Sequence, residues 1–109
     1  MPEADSLGRI KRKRIRWQPP FGSHLFRYRL YWAQEGDLSY TSDNADLGPV
    51  SEVLLPDDVP SFPRVRGEVH LGVTAISESG NESDMTTTVA HIDLIIPDAP
   101  LDLVVEDVD

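Results

Sequence analysis

A chain of 109 residues, 39% of them hydrophobic, supports one domain with a single core near the small end of the range. The absence of cysteine excludes disulfide bridges and thiolate metal sites within it. A net charge of −9 repels nucleic acid over most of the surface, and no apolar stretch approaches the roughly 20 residues that span a bilayer, so membrane insertion is not expected.

Nine prolines, seven glycines and no sustained helical periodicity point to an all-β fold. Residues 1–9 read as an N-terminal arm, with acids ahead of the first bases and no apolar run behind them, unlike a signal peptide. With Met1 as the natural start the expected compartment is the cytoplasm; as part of a larger protein it would be extracellular. The first strand runs through Ile15 and Trp17, which point inward, while Arg14 and Arg16 point out. Gln18-Pro19-Pro20-Phe21-Gly22 ends it, because neither proline can donate to a ladder. Residues 25–34 form the second strand, with Phe26, Tyr28, Leu30 and Trp32 on one face and Arg27, Arg29 and Tyr31 on the other. A turn at Glu35-Gly36-Asp37 leads to a short edge strand at 38–42 and a loop at 43–48. A further strand over 50–55 ends at Pro56, and a loop with Pro60 and Pro63 follows.

Residues 68–84 predict the central hairpin. Val69, Leu71, Val73 and Ala75 alternate with His70, Gly72 and Thr74, giving one buried and one wet face. Ser79-Gly80-Asn81-Glu82 supplies the turn, and the return strand spans 86–96. Pro97-Asp98-Ala99-Pro100 then breaks the ladder before a last apolar run, 101–105, among Asp102, Glu106, Asp107 and Asp109. The domain proper is thus 10–97, followed by an acidic C-terminal strand or tail at 98–109. The expected core is Ile15, Trp17, Tyr28, Leu30, Trp32, Leu54, Val69, Leu71, Val73, Ala75, Ala90 and Ile92.

The succession Trp17-Gln-Pro-Pro20, Tyr28-Arg-Leu30-Tyr-Trp32, Val69-x-Leu71-x-Val73-Thr-Ala75 and Ser79-Gly80-Asn81-Glu82-Ser83 resembles a fibronectin type III domain over residues 10–97. The resemblance implies an antiparallel, two-sheet Greek-key sandwich acting as a non-catalytic structural or protein-interaction module. It implies binding through exposed loops and sheet edges, here the loop 19–24 (Pro20, Phe21, His24), the turn 77–83 (Glu78, Asn81, Glu82) and the C-terminal strand. Residues 1–9 leave little room for the family's first strand, and 97–107 resembles that strand at the other end of the chain. Placed beside Lys11–Arg14, its acids would face bases, and reaching a second copy it would give a strand-swapped homodimer.

Two other functions are open. Six of the ten basic residues lie between Arg9 and Arg16, and the patch Lys11, Arg12, Lys13 and Arg14 matches short nuclear-localisation and nucleic-acid patterns. If the hairpin turns at Gly80-Asn81, His70 falls opposite His91 with Asp93 on the same face, a potential zinc or pH-responsive spot. No nucleophile elbow, phosphate-cradling glycine loop or strongly spaced ligand set occurs, so neither catalysis nor a cofactor is expected.

Overall fold

Period-two alternation sorts side chains to two faces, and the computed structural model, which describes residues 10–20 and 26–109, holds six strands so sorted. These are β1 (Lys13–Arg16), β2 (Arg27–Ala33), β3 (Asp43–Gly48), β4 (Glu52–Leu55), β5 (Arg66–Ile76) and β6 (Thr86–Asp93). β1 and β4 make a two-stranded sheet, and the rest a four-stranded sheet in the order β3-β2-β5-β6. Every pairing is antiparallel. The protein is an all-β, two-sheet sandwich, and no helix among the described residues is long and apolar enough to cross a membrane.

The core lies between the sheets. Leu30 and Trp32 of β2, Val69 and Leu71 of β5 and Ile92 of β6 meet Val53 and Leu55 of β4, with Ile15 and Trp17 half-buried alongside. Two strands cannot cover four, and the segment 56–65 makes up part of the difference. Its Val59 and Phe62 are buried, and the Phe62 ring sits 5.1 Å from that of Trp32. The prolines of this segment mark a loop, as the sequence indicates, but the loop belongs to the core.

Several expectations are corrected. Residues 38–42 form a turn rather than an edge strand, because serine hydroxyls capture the backbone locally. The Ser39 amide donates to Ser42 Oγ at 3.0 Å, and the Thr41 amide donates to Ser39 Oγ at 3.2 Å. The expected loop 43–48 is instead the edge strand β3, whose Ala45 and Leu47 pack on the core while Asp46 faces out. In β4 the inward residues are Val53 and Leu55, not Leu54, since Ile15 pairs with Val53 and Lys13 with Leu55. The last apolar run is no strand within this chain: Leu101, Leu103 and Val105 are 86%, 98% and 90% exposed.

The hairpin forms as expected but in a different register. The Ser77 amide donates to the Asn81 carbonyl at 2.9 Å, so the connection is wide and the ladder starts at Val73 opposite Thr86. His70 therefore faces Val89, and His91 faces Glu68.

The outer face of the large sheet is not wet as its alternation suggests. Tyr31, Gly72 and Thr74 are buried there, because 38–42 and 77–85 fold over it. Tyr40 meets the Tyr31 ring edge-on at 5.9 Å, and its hydroxyl donates to the Ser83 carbonyl at 2.9 Å. Met85 lies so close over Gly72 that a Cβ there would collide with its side chain. Replacing Phe62 with alanine should lower unfolding free energy by about 3 kcal/mol, because it leaves a cavity between the sheets. Urea denaturation checks this, and a loss below about 1 kcal/mol would mean that 56–65 is not a core segment.

Candidate interaction surface

β1 carries the most distinctive surface in the molecule. It has a neighbour on one side only, and no described residue pairs with its other edge. The Trp17 amide donates to the Ser51 carbonyl at 3.1 Å, which fixes the phase of the ladder to β4. Antiparallel alternation then turns the backbone groups of Lys13, Ile15 and Trp17 toward β4, and those of Arg14 and Arg16 toward the open edge. Arg12, Arg14 and Arg16 project outward along the same edge and are exposed. Among the described residues only Arg12 of the three has an ion pair, to Asp57 at 3.4 Å, with both side chains largely in water. An exposed pair of this kind contributes little and exchanges readily for another carboxylate.

Beside this edge the sandwich gapes between β1 and β6. A cleft of about 350 Å³ is lined by Lys11, Lys13, Arg66, Gly67, His91, Ile92 and Asp93. Arg66 pairs with Asp93 at 3.8 Å and His91 approaches Glu68 at 3.8 Å, all on exposed positions. At the other end a cleft of about 640 Å³ runs beside Trp17, Tyr28 and Thr86, and Trp17 Nε1 is buried there without a partner among the described residues. The basic patch Lys11, Arg12, Lys13 and Arg14 is fully on the surface, as its composition implies.

The other sequence candidates scatter. Pro20 is exposed at the end of its segment, while Phe21 and His24 lie outside the described residues. Glu78 and Asn81 are exposed on the turn. His70 and His91 are not opposed, and no group of three or more His, Cys, Asp or Glu suited to a metal occurs among the described residues.

Glu82 is the candidate whose setting differs most from a binding residue. Its carboxylate turns inward to accept hydrogen bonds from the Tyr31 hydroxyl and from Thr74 Oγ1, the latter at 2.5 Å. Arg29 lies 3.5 Å away and is itself held by Asp46, across the β2–β3 ladder, at 2.7 Å. Burial disfavours the Glu82 anion, but the bonds from Thr74 and Tyr31 and the charge of Arg29 outweigh it, holding the carboxyl below its ordinary value. The Tyr31 phenol is pushed up, first by burial and then by its bond to that carboxylate. The Arg29 guanidinium is raised chiefly by its bond to Asp46. This arrangement locks 77–85 onto the outer face and makes Glu82 structural. Alternation along β5 gave no signal for it, since the partner of Tyr31 and Thr74 comes from the turn.

The chain matches no protein-family model, no curated protein and no solved structure.

The Glu82 network predicts an acid sensitivity with a definite sign. Because the folded carboxyl ionises more readily than the unfolded one, its stabilisation is present above the ordinary glutamate range and disappears as pH falls through the lower folded value. Glu82→Gln should therefore unfold roughly 1–2 kcal/mol more easily at pH 7, with the gap to the parent closing toward pH 3. Urea titrations at several pH values check this, and a gap independent of pH would refute the role.

Proposed function

We propose that this chain is a non-catalytic interaction module of fibronectin type III character that takes up an extended acidic segment along the free edge of β1. The single observation that carries the reading is that edge: strand backbone with no partner among the described residues, flanked by Arg12, Arg14 and Arg16. Strand addition supplies affinity through main-chain hydrogen bonds, and alternate side chains supply selectivity. Inward residues of the added strand would enter the apolar margin beside Ile15 and Ile92, and outward carboxylates would meet the arginines. The family resemblance is supported by the strand succession, in which β1 and β4 share one sheet while β2, β3, β5 and β6 share the other. A Greek-key connection fits that distribution. The row of arginines also suits a nucleic-acid backbone, but the aromatic side chain described beside it, Trp17, packs against Tyr28 at 5.3 Å instead of offering a stacking face.

The test uses an eight-residue peptide of alternating valine and glutamate, with a single-stranded oligonucleotide as the competing probe. The peptide should bind saturably, more weakly as salt rises. Arg14→Pro removes one edge N–H where proline is tolerated, and should abolish peptide binding without unfolding the domain. Arg14→Gln should only weaken it. Binding of the oligonucleotide alone, indifferent to Arg14→Pro, would overturn the reading.

A further inference from the structure

We infer that the acidic segment taken up by β1 is the C-terminal run of a second copy of this chain, residues 101–106, so that two copies exchange tails reciprocally. The inference rests on the reading of the β1 edge given above and names its occupant.

Donor and acceptor are each incomplete in a complementary way. The tail exposes Leu101, Leu103 and Val105 almost entirely, although these side chains would favour a half-buried strand. Alternation places them on one face and Asp102, Val104 and Glu106 on the other. The β1 edge likewise has Lys13, Ile15 and Trp17 toward the sandwich and Arg12, Arg14 and Arg16 toward water. In the antiparallel sense, apolar side chains can face inward in several registers, shifted by two residues. The register that sets Asp102 opposite Arg16 and Glu106 opposite Arg12 gives both tail acids an arginine. Shifting it either way leaves only one so matched. In that register Leu103 lies opposite Ile15, and Val105 lies opposite Lys13 at the cleft between β1 and β6.

The geometry of the tail points to a second copy rather than the same chain. Pro97 and Pro100 bias the residues before them, Ile96 and Ala99, to extended backbone, so the segment runs away from its own domain. The tail stands clear of the domain, with Leu101, Leu103, Val104 and Val105 all exposed. The tail leaves beyond Asp93, which lines the same cleft as Lys11 and Lys13. Donor exit and acceptor edge thus share one end of the molecule, as a two-fold exchange requires. Residues 95–100 span about 20 Å when extended, enough to reach along a facing partner. Asp102 has a φ of 53° in the unpaired tail, a left-handed conformation that aspartate tolerates, and docking draws it into the extended region.

The test mixes two full-length single variants, Lys13→Cys and Val105→Cys, in a protein with no other cysteine. The proposed register makes this a non-hydrogen-bonded pair, with Cα atoms at a separation a disulfide can bridge. Mild oxidation should give a mixed dimer, and light scattering of the parent should show mass doubling with concentration. Asp102→Lys with Glu106→Lys should weaken association about tenfold, and Arg12→Glu with Arg16→Glu on the other copy should restore it. Cross-linking of Lys13→Cys to Leu103→Cys in place of Val105→Cys would overturn the register. A double variant, Lys13→Cys with Val105→Cys, that closes only within one chain would overturn exchange. A parent that stays monomeric while the valine–glutamate peptide still binds would overturn the self-pairing but leave the open-edge reading standing. Failure of the peptide as well would remove both.

Discussion

A two-stranded sheet has to cover a four-stranded one, and most of the architecture follows from that imbalance. A pair of strands of four residues each has little stability of its own. β1 and β4 persist because Ile15, Val53 and Leu55 are clamped against Leu30, Trp32, Val69 and Leu71. The deficit in coverage is met on the β4 side by Val59 and Phe62 from a proline-bearing segment. Beside β1 the sandwich instead opens into a cleft walled by lysines and an arginine. The same imbalance therefore yields a core segment at one margin and an open cleft at the other. Natural sheets commonly blunt such edges with charge, and the arginines of β1 fit that pattern.

The opposite face of the large sheet shows how polar chemistry can complete a fold that apolar burial leaves unfinished. Tyr31 and Thr74 would be stranded if 77–85 lay in solvent, because each needs a hydrogen-bond partner once buried. Glu82 supplies both from one carboxylate, and Arg29 with Asp46 balances its charge. The hairpin connection is consequently anchored at its middle rather than at its tip, with Ser77, Asn81 and Ser83 satisfying one another and Ala75 along the way. This anchoring leaves Glu78, Ser79 and Asn81 exposed on the turn.

What the sequence discloses is governed by where its signal is local. β2, β5 and β6 alternate over enough residues for their inner faces to be read directly, and Val69, Leu71, Leu30 and Trp32 are core as their spacing demands. β3 was hidden because an edge strand needs few apolar residues, and only Ala45 and Leu47 break the run of aspartate and asparagine. The β4 phase turned on a single residue, since Val53, Leu54 and Leu55 are consecutive and apolar and only the pairing with Ile15 chooses among them. The hairpin register depended on how wide the Ser77–Asn81 closure is, which turn composition leaves free. The basic edge was plain in the charge pattern; that no described residue pairs with its backbone is a property of the tertiary fold. The inward Glu82 was least legible, because its partners are distant in sequence and sit on a face that alternation assigns to water.

In the proposed assembly a second strand completes the edge of β1 that no described residue pairs with. Amide hydrogen exchange of Arg14 and Arg16, followed residue by residue through a dilution series, addresses that claim most directly. These N–H groups should be protected while copies are associated and should exchange rapidly once dilution separates them, with Ile15 and Trp17 protected throughout by β4. Rapid exchange of Arg14 and Arg16 at every concentration, or protection that survives in the monomer, would contradict it.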